Sequence, residues 1–141
     1  MSAAELYLID TSALARVRHP LVATLLSGLI MEGVAATCAT IDLEMGYSGR
    51  NAEEVRASAQ SRRELYRNLE LTDAIAQEAR ATQLSMAELG QHRAAGVFDL
   101  LTSAVAAHYG ATVLHYDADF EHIAAVTGQP HLWVAPRGSL D

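Results

Sequence analysis

The stretch TVLHYDADFEHIAA, residues 112–125, begins as an apolar run and then sets Asp117, Asp119 and Glu121 within a few residues. ATVLHY (111–116) reads as a buried strand, and ADFEHIAAVTG (118–128) as the helix that follows it. A buried strand that ends in clustered negative charge needs a reason. Three other segments share the arrangement. ELYLID (5–10) is an apolar run closed by Asp10, VAATCAT (34–40) leads into a helix carrying Glu44, and the apolar helix VFDLLTSAVAAHYG (97–110) opens on Asp99.

The segments between them alternate in type. SALARV continues helically after Asp10. PLVATLLSGLIMEG (20–33) is an amphipathic helix with Pro20 near its start and Gly33 just past its end. Helices are predicted over 41–47, 52–68 and 74–88, the last capped by Asp73. LEL (69–71) is a short strand candidate and HLWVA (131–135) a last strand, with a loose tail PRGSLD. Strands alternating with helices predict a doubly wound α/β fold: one parallel sheet with helices on both faces. In such sheets ligands bind at the carboxyl ends of the strands, where these carboxylates lie.

At 141 residues the chain suits a single domain over 1–141. No apolar run reaches transmembrane length, so no membrane role is expected. MSAAELYLID lacks the early positive charge of a secretory signal. Cys38 is the only cysteine, which fits a reducing cytoplasm. The net charge of −7 weighs against nucleic acid, yet all ten basic residues are arginine and five fall between residues 50 and 67. Arg56, Arg63 and Arg67 are spaced to share one helical face. That face is either a solvated surface or a phosphate-contacting stripe, since local charge rather than net charge decides phosphate binding. His92 and Arg93 precede the apolar helix on a loop and present the same choice.

Converging carboxylates repel, and one of them would hold its proton. A divalent cation removes the conflict, and oxygen-only ligation suits Mg²⁺ or Mn²⁺. The six histidines show no zinc spacing. A cation held by carboxylates at an open edge suits phosphate chemistry. Asp119 has two readings, helix cap or cation contact. His115, two residues before Asp117, reads as structural rather than catalytic.

LIDTSAL (8–14), TIDLEMGY (40–47) and FDLLTSAVAAHYGATVLHYDADFEHIA (98–124) resemble the PIN-domain nucleases, and within them the VapC-type toxins of bacterial toxin–antitoxin pairs. The resemblance implies a Mg²⁺-dependent endoribonuclease, with Mn²⁺ able to substitute. It assigns Asp10, Glu44, Asp99 and Asp117 as metal ligands and catalytic residues. Asp119 becomes a further acidic contributor behind them, and Ser12 a hydroxyl that orients Asp10. Arg93 stands where relatives often carry a basic residue. An antitoxin that blocks the acidic groove, often with an arginine, and a homodimer are also implied. His115 stands where the family often has Thr or Ser.

Two rivals are weaker. An aspartyl phosphotransfer domain needs a lysine near the phosphoryl group, and this chain has none. A degenerate module that binds RNA or protein without cleavage would fit the loss of a carboxylate, and all four are present.

Overall fold

Five parallel strands, at 67–68, 35–37, 6–9, 111–115 and 131–133 in spatial order, form one sheet. The computed structural model describes residues 5–140. In chain order the elements are β1 (Leu6–Ile9), α1 (Thr11–Leu14), α2 (Pro20–Met31), β2 (Ala35–Thr37), α3 (Ala39–Tyr47) and α4 (Ala52–Leu65). They continue as β3 (Arg67–Asn68), α5 (Asp73–Glu88), α6 (Val97–Tyr109), β4 (Ala111–His115), α7 (Asp119–Thr127) and β5 (His131–Trp133). The chain winds outward from β1 to β2 and β3, then returns to add β4 and β5 on the other side. The reversal leaves a crevice between the carboxyl ends of β1 and β4, the usual ligand position in doubly wound sheets.

Alternation along the strands divides the core in two. Leu8, Ala36 and Val113 face a layer containing Ile41 of α3, Ile75 of α5, Leu100 and Val105 of α6, and Ile123 of α7. Ile9, Ala35 and Leu114 face the opposite layer, where Val22 and Leu26 of α2 pack. β4 is central and covered on both faces, so every residue in it is buried. Gly110, left-handed at φ 66°, closes α6 and turns the chain directly into β4.

Several local expectations shift. The third strand lies at 67–68, two residues before LEL, while Leu69 N–H still donates to Thr37 O at 2.9 Å. Thr72, not Asp73, caps α5: its extended backbone lets the hydroxyl accept from Ile75 N–H. α4 stops at Leu65 because Tyr66 turns extended and packs into the α2-side core. Arg67 is therefore on β3 and does not share a helical face with Arg56 and Arg63. Arg62 of the same run is buried, and its Nε donates to Asp42 at 2.8 Å, tying α4 to α3. The tail is docked rather than loose. Leu140 N–H donates to the Tyr116 hydroxyl, and Arg137 reaches Glu121 and lies over the Trp133 ring. Asp141 of that segment is outside the described residues.

Candidate metal centre

Each carboxylate reaches the crevice by a different route. β1 and β4 pair in register from Leu6 with Ala111 to Ile9 with Leu114, so Asp10 and Asp117 leave neighbouring strands at the same edge. Glu44 projects from the second turn of α3, and Asp99 from the first turn of α6, where the helix dipole favours a negative group. One oxygen each from Asp10, Glu44 and Asp99 lie within 4.8 Å of one another, and so do oxygens from Asp99, Asp117 and Asp119. Asp99 thus belongs to both groups, and Asp119 as well as Asp117 falls within reach of it.

The supports are specific. Asp10 is 2% exposed. Its Oδ2 accepts from Ser12 N–H at 3.0 Å and Ser12 Oγ–H at 2.6 Å. Ser12 Oγ in turn accepts from Tyr116 N–H at 2.8 Å, clamping the end of β1 to the end of β4. The other oxygen, Asp10 Oδ1, is buried and accepts no hydrogen bond from the described residues. Thr11 Oγ1–H donates to Glu44 at 3.2 Å. Asp117 Oδ1 accepts from Asp119 N–H at 2.9 Å, so Asp117 caps the entry to α7. Asp119 is not the cap, because Ala118 before it is already helical. Its Oδ2 instead accepts from Gly96 N–H at 3.1 Å, bridging to the start of α6.

His115 is fully buried. Its Nδ1 accepts from Asp117 N–H at 3.1 Å, which places the ring proton on Nε2, directed at His131 Nδ1 2.8 Å away. Burial, then repulsion from His131, lowers its pKa to about 4, so the ring is neutral. Phe120 and Trp133 pack against it with ring centroids 5.0 Å away. His115 thus orients the Asp117 backbone from a ring nitrogen, where the resemblance led us to expect a hydroxyl. Arg16, which sequence reasoning passed over, donates from Nη1 to Ser12 O at 2.9 Å and lies over the Tyr116 ring. Its charge partly offsets the upward pressure on Asp117. The four-residue spacing from Ser12 on a short helical turn was its only sequence signal.

The electrostatics are those of carboxylates crowded together in a partly buried crevice. Burial and then the neighbouring carboxylates raise the pKa of Glu44, and burial is likewise the first cause for Asp10 and Asp117. Asp99 is pushed up to about 9 by burial, by a proton shared with Asp119, and by repulsion from Asp10 and Asp117. A buried carboxylate oxygen without a donor, amid carboxylates that oppose one another's ionisation, fits a hard divalent cation with oxygen ligands.

A stability trend follows from these shifts. In the unfolded chain carboxylates ionise near pH ~4. Asp99 in the fold keeps its proton to about 9. Between those values the folded state binds more protons than the unfolded one, so rising pH costs stability. His115, neutral in the fold, opposes this only below its ordinary value of about 6.5. The Tm of cation-free protein should therefore fall from pH ~6.5 to pH ~9, and Mg²⁺ or Mn²⁺ should flatten the fall. Melts across this range in chelator, with and without added cation, check it; a flat or rising cation-free Tm would contradict it.

The arginines expected to contact RNA come from three separate parts of the chain. Arg56, Arg63 and Arg67 are exposed on α4 and β3. Arg63 lines a polar hollow of about 410 Å³ with Thr37, Asp42, Tyr66 and Asn68, at the same carboxyl edge of the sheet. Arg93 is exposed on the loop that leads into α6.

Fold and site together define a PIN domain. The PIN-domain family model matches residues 7–126, and the chain belongs to that family. Within it the sequence is 39% identical over 133 residues to Ribonuclease VapC21 of Mycobacterium tuberculosis, covering 94% of this chain and 96% of that protein. It is 40% identical over 140 residues to Ribonuclease VapC51 of the same organism, covering 96% and 97%. Among solved structures, DNA-bound VapBC from Salmonella typhimurium superposes with a TM-score of 0.76 at 13% identity, over 94% of this chain and all of that one. VapBC2 from Rickettsia felis, bound to a promoter DNA fragment, gives 0.75 at 14% identity, over 91% and 98%. The two structures share the fold. Among the described residues no helix is long and apolar enough to cross a membrane.

Proposed function

We propose that this chain is a Mg²⁺-dependent endoribonuclease, with Mn²⁺ able to substitute, and the toxin of a toxin–antitoxin pair. The observation that carries the reading is Asp10 Oδ1: a buried carboxylate oxygen with no donor, beside Glu44 and Asp99. Asp10, Glu44, Asp99 and Asp117 would hold the cation, with Asp119 adding charge through Asp99. When bound, the cation supplies charge neutralisation for the scissile phosphate and acidifies a water for attack on it. The residues' own work is positional. Ser12 fixes the rotamer of Asp10, Thr11 restrains Glu44, and the His131–His115 pair holds the backbone at Asp117. Rigid carboxylates keep the geometry that cation ligation and in-line attack demand.

The relatives named as ribonucleases support the RNA substrate, and the VapBC complexes support a small antitoxin as partner. An antitoxin arginine placed among the carboxylates would replace the cation's charge and block the site. Arg56, Arg63, Arg67 and Arg93 are exposed and would offer positive charge to RNA phosphates. A homodimer is the expected assembly. With every carboxylate in place, no observation favours a module that only binds.

Protein free of any partner, incubated with cellular RNA and Mg²⁺, should release fragments with 5′-phosphate and 3′-hydroxyl ends, and chelator should stop it. Fragments with 2′,3′-cyclic phosphate, or cleavage indifferent to chelator, would overturn the reading. Ser12→Ala should lower cation affinity and cleavage by about 10- to 100-fold, because it removes one of the two donors that hold Asp10 Oδ2 and leaves Tyr116 N–H without its acceptor. Ser12→Thr, which keeps the hydroxyl, should recover most of the loss; isothermal titration with Mn²⁺ beside the cleavage assay decides it.

A further inference from the structure

Among the described residues, only two aromatic side chains are exposed: Tyr47 at 93% and Phe98 at 39%. The other aromatics are packed or half-buried. Tyr109 and Tyr7 donate their hydroxyls to Glu70 O and Glu5, Tyr116 and Trp133 pack edge to face, and Phe120 backs His115. The two exposed rings come from different elements, yet they meet in one groove of about 610 Å³, lined also by Thr11, Leu43, Glu44 and Ser48. Both are chain neighbours of site carboxylates. Tyr47 stands one helical turn beyond Glu44 on α3, and Phe98 directly precedes Asp99 on α6.

We infer that this groove is a base-binding subsite, in which Tyr47 and Phe98 stack against the base of a nucleotide adjoining the phosphate at the carboxylates. The inference rests on the ribonuclease reading and deepens it. Continuity argues for a nucleotide: Glu44 and Thr11 belong both to the groove and to the acidic centre. A phosphodiester held at the carboxylates brings its own nucleosides along covalently, and one of them must lie over this wall. The groove offers what a base requires, π-faces and apolar surface for stacking, with the Thr11 and Ser48 hydroxyls on its lining as polar partners. Stacking of this kind accepts any base, so the subsite adds affinity and register more than a strict sequence code. It also gives an acidic chain a source of RNA affinity that does not depend on positive charge.

The test measures binding of a short single-stranded RNA of randomised sequence by fluorescence anisotropy, with Ca²⁺ replacing Mg²⁺ to suppress turnover. Tyr47→Ala and Phe98→Ala should each weaken binding by roughly tenfold, within the range of one base–aromatic stack. Tyr47→Phe keeps the ring and should bind like wild type. Tyr47 is solvent-exposed, so Tyr47→Ala should melt at the wild-type temperature and titrate with Mn²⁺ as wild type does. Equal RNA affinity in wild type and both alanine variants would overturn the subsite, as would wild-type protein that binds no RNA. Ring-dependent binding without cleavage in Mg²⁺ would leave the subsite standing and remove the ribonuclease reading. Cleavage with an unchanged KM in both alanine variants would do the reverse. Loss of binding to a co-purified protein partner with RNA affinity intact would make the groove a protein-docking surface and sink the inference.

Discussion

Asp10→Asn is expected to lower RNA cleavage by roughly a thousandfold or more, the equivalent of about 4 kcal/mol of transition-state stabilisation. Asn retains an acceptor for Ser12, so the geometry at Oδ2 survives. What disappears is the charge behind the buried Oδ1. The same substitution should raise the Tm of cation-free protein at neutral pH, because it removes a buried charge that repels Asp117, Glu44 and Asp99. A variant that is more stable and nearly inactive identifies a group selected for chemistry rather than for folding. Parallel loss of activity and stability would instead make Asp10 a structural acceptor. Melts in chelator and cleavage rates on the same preparations separate the two.

Phe120→Ala should cost about 3–5 kcal/mol and lower Tm by about 10–20 °C. Phe120 is 2% exposed, at the start of α7, packed into the α5–α6 side of the core and against His115. Its removal opens a cavity directly behind the ring that holds Asp117 N–H. Cation affinity should fall along with stability, whereas Asp10→Asn separates them. Chemical denaturation of both variants measures the difference; Phe120→Ala with wild-type stability would mean that the layer behind the site does not support it.

The acidic edge was legible because it is written in local patterns. An apolar run closed by an aspartate is visible twice, at ELYLID and at ATVLHYD, and alternation of strands with helices brings both ends to one sheet edge. Ser12 was reached only through family resemblance, and its clamp on Tyr116 N–H depends on the pairing of β1 with β4. The pair of Asp42 and Arg62 lies twenty residues apart and forms because α4 packs on α3. Five arginines read as one cluster therefore divide: Arg62 turns inward, Arg50 pairs with Glu54, and Arg67 passes to β3. Periodicity could not show this, because Tyr66 leaves the helix to join the core. The contact of His115 with His131 depends likewise on β4 lying beside β5. Helix caps were misplaced by a residue or two at Asp73 and Asp119, where a nearby polar residue, Thr72 or Asp117, competes for the cap and backbone conformation decides between them.

The central claim is that carboxylates from distant parts of the chain form one cation site. Electron paramagnetic resonance of Mn²⁺, with partner-free wild type, Asp10→Asn and Asp99→Asn, tests it without any knowledge of the RNA. The account predicts Mn²⁺ binding by wild type and clearly weaker binding by both variants, since Asp99 links the two groups of oxygens and Asp10 brings the buried one. Mn²⁺ binding unchanged by either substitution would contradict it.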